Sequence, residues 1–599
     1  MENIRIQDDL YNFVNGETLE KLVIPDDKPA AGGFQDLADG VEKIMMDEFA
    51  TMTENKSYPN AHLERACTLY AIAKDAERKE KHGIAPALKV LAILDEIKTV
   101  EDFSRLFKTL TLKGIPTPFS IGADTDMKNT KQRLAYIQGA GVILPDASYY
   151  KPEMEAQKTQ ILGIWTNVAK AVMAKTELSP EAQEQYVNDA LAFDAMLGGL
   201  VKTQEEWSKY VEMYNPMDES KVAEMLSTID FGAILNDLFG KVPATIVVTE
   251  PRFFGEFAKV FNAENLELYK HWAYVTGLLR ACNYLSEELR DMGGMYMRAL
   301  TGVAKMQSIE KFAYSLASGT YSDPVGIYYG EKYFGEEAKK DITEIVYQII
   351  DTYKERIKTN DILGEASKEK AILKLSKMGV KMGYPDKPKA IYDKLVFDPE
   401  ASLFDIIVSL SEIRELEALS KLDKPTEPEN WAMPGHMVNA CYDPFVNDIT
   451  FPAAILQAPF YSLKQTRSEN LGGIGGVFRP DNADRNRVIR VFAGPQHDGP
   501  AIGSGDLIAL RRLGFGQSVG AVFQLAENQT ARRGIINGIA HAGAVGIGQH
   551  ELRAGQGNAG LGLLVNLQIG VDRLVVADDL FDGLLVYRLD GLASLHQLL

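Results

Sequence analysis

The residues that could bind a catalytic metal are few and widely spaced in this chain. The histidines are His62, His82, His271, His436, His497, His541, His550 and His596. No two of them have the His-x-x-x-His spacing that places two imidazoles on one face of a helix to bind zinc. His550-Glu551 begins such a motif, but Leu-Arg-Ala-Gly follows it and the second histidine is missing. The sequence therefore assigns no metal ligand and no catalytic residue.

A second candidate for chemistry is a pair of β-prone segments near residue 440. Val438-Asn-Ala-Cys-Tyr442 is followed by Asn447-Asp-Ile-Thr-Phe-Pro-Ala-Ala-Ile-Leu-Gln-Ala-Pro-Phe-Tyr461. One interpretation is a hairpin joined around Asp443-Pro444. The other is a sheet edge whose free backbone groups, with the Asn439 side chain, bind an extended peptide as an added strand. The pattern alone leaves both interpretations open.

The elements that must position these residues are mostly helical. Ser179-Pro180 is typical of a helix N-terminus, and apolar residues then recur at steps of three or four. A second such stripe runs from Ile342 to Ile357, and Gly383-Tyr-Pro-Asp386 is a turn signal that closes the next helical stretch. Strand signals are sparse: Ala244–Thr249 is one, and Ile449–Leu456 is another, whose proline favours an edge position.

The bulk properties exclude several classes of function. The net charge of −19 argues against a nucleic-acid-binding surface, which needs a basic footprint. The chain contains neither a secretory signal nor a long uncharged apolar stretch, so we expect no membrane partner. Its three cysteines, Cys67, Cys282 and Cys441, are far apart in the sequence. That pattern fits a reducing compartment, and we expect a cytoplasmic protein.

The composition changes abruptly near Gly476. Residues 1–476 contain 41 lysines, whereas residues 477–599 contain none, together with 11 arginines. Three explanations are open: a second domain of different ancestry, the loss of the native reading frame or a junction with unrelated coding sequence, and unusual drift. Glycine-rich runs such as Gly555-Gln-Gly-Asn-Ala-Gly-Leu-Gly562 have neither helical nor strand periodicity. We expect this tail to pack poorly.

Several ordered segments before that break resemble the neprilysin-like zinc metalloendopeptidases, most closely the bacterial endopeptidase O branch. The resemblance covers residues 7–475. The segments are Gln7-Asp-Asp-Leu-Tyr-Asn-Phe-Val-Asn-Gly16, Leu144-Pro-Asp-Ala-Ser-Tyr-Tyr150, Tyr214-Asn-Pro-Met217, Tyr329-Gly-Glu-Lys-Tyr-Phe334, Gly383-Tyr-Pro-Asp386, Asn439-Ala-Cys-Tyr442, Phe451-Pro-Ala-Ala-Ile-Leu-Gln457 and Leu471-Gly-Gly-Ile-Gly475. Cys441 stands where the family usually has tyrosine.

The resemblance implies a mainly α fold. A large helical domain would enclose a chamber with the start of a thermolysin-like α/β catalytic domain, and the anomalous glycine-rich tail would follow. The corresponding domains are residues 1–430, 431–476 and 477–599. The family uses zinc held by two histidines and a glutamate, and its chamber admits oligopeptides. By position, Asn439 would hydrogen-bond the substrate backbone and Ala440 would lie on the strand that binds it.

The chain departs from the family directly after Gly475. The family continues to His-Glu-x-x-His, whereas this chain reads Gly476-Val-Phe-Arg-Pro-Asp-Asn-Ala-Asp484. No zinc ligand can be assigned, although the intact family carries zinc. Three hypotheses follow: a metalloendopeptidase by ancestry that is inactive as written, a non-catalytic peptide-binding protein, or a fusion whose tail has its own role.

Overall fold

The computed structural model describes residues 4–361, 363–477 and 586–587, and in these ranges the chain is mainly helical, as predicted. Short 3₁₀ turns and one π-helical turn, Gly330–Phe334, connect some of the helices. The α-helices are α1 (Leu10–Lys21), α2 (Gly33–Asn55), α3 (Ala61–Lys74), α4 (Ala76–His82), α5 (Ala85–Leu91), α6 (Val100–Leu112), α7 (Glu155–Met173), α8 (Pro180–Gly198), α9 (Gln204–Ser208), α10 (Glu219–Met225), α11 (Phe231–Phe239), α12 (Pro251–Gly255), α13 (Phe257–Val260), α14 (Leu266–Ala281), α15 (Glu287–Thr301), α16 (Ile309–Thr320), α17 (Ser322–Tyr329), α18 (Gly335–Lys358), α19 (Glu365–Ser376), α20 (Ile391–Lys394), α21 (Leu403–Leu419) and α22 (Arg467–Val477). None of these helices is long and apolar enough to cross a membrane.

The strands of the described residues form three small sheets. They are β1 (Ala30–Ala31), β2 (Phe119–Thr125), β3 (Arg133–Gly139), β4 (Pro216–Asp218), β5 (Thr245–Val248), β6 (Gly379–Gly383), β7 (Cys441–Asp443), β8 (Asp448–Pro452) and β9 (Val586–Tyr587). The orders are β1-β9, β2-β3-β5-β4 and β6-β8-β7. In the third sheet, β6 and β8 are parallel and β7 and β8 are antiparallel.

The chain divides into two compact units. The first unit takes its residues from 1–66, 317–389 and 427–589, and the second from 67–316, 390–426 and 590–599. The boundaries at residues 430 and 476 that the resemblance implies stay a prediction.

The second unit is built from helices around the four-stranded sheet. Its core contains a cluster of aromatic rings, among them Phe103, Phe119 and Tyr269. Helix α8 begins as predicted, because Ser179 Oγ accepts a hydrogen bond from the Ala182 N–H at 3.2 Å and Pro180 occupies the first helical position. The apolar residues of α8 are buried on one face, which confirms the predicted helical stripe.

The first unit places helices α18 and α19 on one face of the sheet β6-β8-β7. The predicted stripe of α18 is buried there, with Ile342, Ile345 and Val346 in one apolar cluster with Ile449 and Phe451 of β8. Because side chains alternate along a strand, these two residues of β8 face the helices, and Thr450 between them faces the opposite side.

Strand β8 is the central strand of its sheet, not the edge strand that its proline favoured. Pro452 is the last residue of β8, where a missing N–H removes little of the ladder, so the proline is compatible with a central position. The turn at Gly383 also does not close a helix. It ends β6, a short strand that begins and ends with glycine, and Gly383 has φ +86°.

Helices α1 and α22 of the first unit differ sharply in packing. Helix α1 exposes Leu10, Phe13 and Val14 and buries only Gly16, and Ile6 is exposed just before the helix, so these four apolar residues recur at steps of four, three and one. Helix α22 buries Ile474 completely. We call the exposed set the α1 stripe.

Candidate functional site

Asn439 and Ala440 lie directly before β7, at the end of a three-stranded sheet. Among the described residues β7 pairs with β8 alone, with Cys441 opposite Thr450 and Tyr442 opposite Ile449. The hairpin interpretation is therefore confirmed. It is compatible with the peptide-binding interpretation, because β7 is also an edge strand. The assignment of Asn439 and Ala440 to substrate binding stays a prediction.

Local hydrogen bonds hold the segment that leads into β7. The Asn439 N–H donates to the Met437 carbonyl at 3.0 Å, and the Ala440 N–H donates to Asn439 Oδ1 at 2.8 Å. Both residues are largely buried, with 9% of Asn439 and 1% of Ala440 exposed. Ala440 packs in the apolar cluster under α18 and α19. The two N–H groups before the strand are thus satisfied within the segment itself.

The turn between β7 and β8 is anchored to helix α19. Asn447 adopts a left-handed conformation with φ +55°, which asparagine tolerates better than most residues. Its side chain accepts a hydrogen bond from the Tyr442 hydroxyl at 3.2 Å and donates to the Lys374 carbonyl at 3.1 Å. The Lys374 ammonium lies 5.1 Å from the centre of the Tyr442 ring, and burial lowers the pKa of this lysine to about 8. These contacts hold β7 at the end where it leads into the turn.

The face of the sheet opposite α18 is buried and polar. Asp448 forms an ion pair with Lys381 on β6, and Lys381 also donates to the Asn430 carbonyl at 2.7 Å. Burial raises the pKa of Asp448 above its ordinary value, and the nearby Asp443 adds to the shift. Burial also raises the pKa of Cys441 to about 11, so this thiol stays protonated near neutral pH and is a poor nucleophile.

Helix α22 carries the glycine-rich segment that ends the family resemblance. A capping box starts it: the Glu469 N–H donates to Thr466 Oγ1 at 3.3 Å, and the Thr466 N–H donates to Glu469 Oε2 at 2.7 Å. Asn470 bonds both backbone groups of Ser462, at 3.0 and 2.9 Å. Gly473 lies against the backbone, since an added Cβ would be 2.3 Å from the Phe460 carbonyl oxygen. The sequence signal for the start of this helix is Thr-x-x-Glu, which our reading of the sequence missed.

The described residues do not offer a zinc-binding set. Nowhere in residues 4–361 and 363–477 do three His, Cys, Asp or Glu side chains converge on a point that could hold a metal ion. His436 is the histidine nearest to β7 in the sequence. Its Nδ1 is buried without a hydrogen-bond partner, and burial lowers its pKa to about 4. A single imidazole does not make a zinc site. His497, His541, His550 and His596 lie outside the described residues, as does the tail that we expect to pack poorly.

Comparison with known proteins identifies the family. Models described as peptidase family M13 match residues 6–385 and 439–479. A neutral endopeptidase of Lactobacillus helveticus is 36% identical over 477 residues, which cover 79% of this chain and 73% of the relative.

The chain belongs to peptidase family M13. The crystal structure of PepO from Lactobacillus rhamnosis HN001 is similar, with a TM-score of 0.75 at 34% identity over 79% of this chain and 75% of that one. The zinc metalloprotease Zmp1 of Mycobacterium tuberculosis, solved with an inhibitor, has a TM-score of 0.73 at 23% identity over 99% of this chain and 88% of that one, which shows the shared fold.

Membership of family M13 confirms the resemblance to neprilysin-like metalloendopeptidases and the endopeptidase O branch. The second matched segment begins at Asn439 and ends at residue 479, so it contains β7, β8 and α22. The M13 match and the family resemblance that we drew from the sequence therefore end within a few residues of each other. The candidate site therefore lies inside the matched region, and the lysine-free segment follows it apart from its first three residues.

Proposed function

We propose that this chain is an oligopeptide-directed zinc endopeptidase by descent that, as written, recognises extended peptides at β7 but does not hydrolyse them. The observation that carries the proposal is the sequence after Gly475. Family members continue to His-Glu-x-x-His, and this chain reads Gly476-Val-Phe-Arg-Pro-Asp-Asn-Ala-Asp484. Without two histidines on one helical face, the chain lacks the histidine pair with which the family would hold the zinc that activates a water molecule.

Peptide recognition is supported by the sheet edge. β7 is paired on one side by β8, and an extended peptide could add to the other side with main-chain hydrogen bonds. The contacts of Asn447 with Tyr442 and with the Lys374 carbonyl hold the turn next to this edge, and the Asp448–Lys381 ion pair joins β8 to β6. Such an edge supports the peptide-recognition half of the proposal.

The test of the hydrolytic half of the proposal is an assay of the purified chain. We expect no zinc by elemental analysis and no chelator-sensitive cleavage of a fluorogenic oligopeptide. A family M13 enzyme that contains His-Glu-x-x-His, assayed in parallel, is the positive control. Cleavage by this chain that stops on addition of a chelator would refute the proposal.

The test of the recognition half is a titration with a blocked hexapeptide and its fully N-methylated analogue. Strand addition needs the backbone N–H groups of the peptide, so the unmodified peptide should bind and the analogue should not. Equal binding of both peptides, or binding of neither, would contradict recognition at the sheet edge.

We also propose a cytoplasmic location. Cys282 and Cys441 are buried and form no disulfide, which fits a reducing compartment. Cell fractionation followed by immunoblotting would test this, and recovery of the chain from the culture medium would contradict it.

A further inference from the structure

The hydrogen bonds between β6 and β8 determine which backbone groups of β8 point towards β7. The Gly379 N–H donates to the Asn447 carbonyl at 2.9 Å, and the Ala453 N–H donates to the Gly383 carbonyl at 2.7 Å. The N–H and C=O of one residue point to the same side of a strand, and the side alternates from residue to residue. The odd-numbered residues of β8 therefore face β6, and the even-numbered residues face β7.

The same alternation determines the two sides of β7. Cys441 lies opposite Thr450, and Asp443 lies opposite Asp448. These two pairs exchange the hydrogen bonds of the ladder, whereas the N–H and C=O of Tyr442 between them point away from β8. A peptide that adds to β7 as a further strand is therefore joined to the backbone of Tyr442.

The side chain of the peptide residue opposite Tyr442 has a defined position. Residues directly opposite each other on neighbouring strands point their side chains to the same face, with Cβ atoms about 4.5–5.5 Å apart. Tyr442 itself lies opposite Ile449, whose side chain packs in the apolar cluster with helices α18 and α19. The peptide residue opposite Tyr442 therefore points to the face of the sheet that α19 covers.

Lys374 of α19 places a positive charge on this face. Its ammonium is 5.1 Å from the centre of the Tyr442 ring, and its backbone carbonyl accepts a hydrogen bond from Asn447 Nδ2 at 3.1 Å. The second contact holds the main chain of Lys374 beside the end of β7. Burial lowers the pKa of this lysine to about 8, and the same loss of hydration strengthens the attraction of its ammonium for a nearby carboxylate.

We propose that Lys374 is a specificity-determining residue, which selects an acidic side chain at the peptide residue opposite Tyr442. The proposal rests on the proposed peptide recognition at β7 and names part of what is recognised. The adjacent peptide residues point to the opposite face of the sheet, where the Asp443 side chain repels a second carboxylate. The preferred peptide therefore carries one Asp or Glu, flanked by neutral or basic residues.

Titration of the full chain with three blocked hexapeptides tests this selectivity. The peptides have Glu, Gln or Lys at one central position and are otherwise identical and neutral. At pH 7, below the Lys374 pKa of about 8, the Glu peptide should bind about two- to fivefold more tightly than the Gln peptide. The Lys peptide should bind more weakly than both. Equal binding of the Glu and Gln peptides to the unmodified chain overturns the proposal, even if a variant fails to fold.

Variants on α19 test whether Lys374 is the source of the selectivity. Lys374→Gln should abolish the difference between the Glu and Gln peptides. It should leave binding of the Gln peptide unchanged, because the bond of Asn447 to residue 374 uses the backbone. Lys374→Arg keeps the charge and should retain the preference. The matched control is Lys377→Gln, at an exposed lysine that follows the last residue of α19, and it should also retain the preference.

The outcomes separate this proposal from the proposed function. If none of the three peptides binds, peptide recognition at β7 and the role of Lys374 both fail. If all three bind equally, recognition stands and the role of Lys374 fails. A preference for the Glu peptide that survives in Lys374→Gln, or that Lys377→Gln abolishes equally, assigns the selectivity to other charges and also refutes the role.

Discussion

Asp194 is a carboxylate in the core of the second unit with 1% of its surface exposed. Three donors surround it: the Ile143 N–H at 2.9 Å, Trp272 Nε1 at 3.2 Å and the Tyr150 hydroxyl. Burial raises its pKa from 3.8 to about 6, although the three hydrogen bonds oppose the shift. The loss of hydration thus outweighs the three hydrogen bonds at this residue.

This raised pKa predicts a specific dependence of stability on pH. Between about pH 4 and pH 6 the folded protein holds a proton on Asp194 that the unfolded chain releases, so the free energy of unfolding falls as pH rises. The contribution is about 3 kcal/mol across the window. Asparagine at position 194 cannot titrate, so the Asp194→Asn variant should lack this fall in the free energy of unfolding. The measurement is urea unfolding of both proteins at several pH values.

A matched control for this experiment is Asp237→Asn, at a carboxylate whose side chain is about half exposed. Its unfolding curve should follow that of the unmodified protein at each pH. If the unmodified protein instead gains stability over Asp194→Asn as pH rises from about 4 to 6, the hydrogen bonds to the carboxylate dominate and the sign of our prediction is wrong.

Among the elements, α22 offers a direct test of packing within the M13 region. Gly473 lies against the Phe460 backbone, and an added Cβ would come within 2.3 Å of its carbonyl oxygen, which cannot move as a side chain can. Gly473→Ala should therefore lower the free energy of unfolding by about 1–3 kcal/mol. Gly472→Ala is the control. Apart from the backbone of α22 itself, no atom of the described residues lies within 4 Å of its added Cβ, so alanine should stabilise the helix by up to about 1 kcal/mol.

Thermal unfolding of the two variants tests whether the close approach of α22 to Phe460 determines stability at this helix. Opposite shifts of Tm are expected, downward for Gly473→Ala and upward for Gly472→Ala. Equal shifts for both would mean that the close approach of α22 to Phe460 does not determine stability at this helix.

Element by element, the sequence was informative where a local signal and a periodic pattern agreed. The cap at Ser179-Pro180 and the apolar stripe of α18 each predicted a helix that the structure contains. Strand β6 was missed because five residues bounded by glycines give too short an alternation to detect. The central position of β8 depends on its parallel partner β6, which is distant in sequence, so Pro452 alone was a misleading guide.

The candidate site was predictable only in part for a similar reason. Position in the family motif singled out Asn439 and Ala440, but the bond between Asn439 Oδ1 and the Ala440 N–H depends on a side-chain rotamer. No pattern of residue types specifies that rotamer. The anchoring of Asn447 to Lys374 likewise joins residues 73 positions apart.

The whole molecule raises the question of how a matched M13 region comes to be followed by a lysine-free tail. All of the family's sequence motifs after Gly475 are missing together, and a single event in the coding sequence would explain that. We predict that the DNA beyond codon 476 encodes His-Glu-x-x-His in another frame, with Glu-Asn-x-Ala-Asp some tens of codons later. Translation of all frames checks this. If no frame contains the motif, a fusion or rearrangement is the better account.

A restored reading frame can be tested biochemically. The repaired protein should bind zinc and cleave oligopeptides. Changing the glutamate between its two histidines to glutamine should preserve zinc content and abolish cleavage. The reason is that this glutamate acts as the general base in the neprilysin-like metalloendopeptidases. If the glutamine variant lost both its zinc and its cleavage, that would indicate misfolding and would count against the role of the glutamate as general base.

The α1 stripe has a consequence for the life of the protein in a cell. Phe13 and Val14 are 54% and 63% exposed, on a helix that buries only a glycine. Apolar side chains exposed at helical spacing resemble what chaperones and degradative proteases encounter on incompletely folded chains. A molecule whose two cores are well packed would still expose the apolar side chains that protein quality control recognises. Turnover of this protein would then be governed by a few side chains on α1 rather than by the stability of either core.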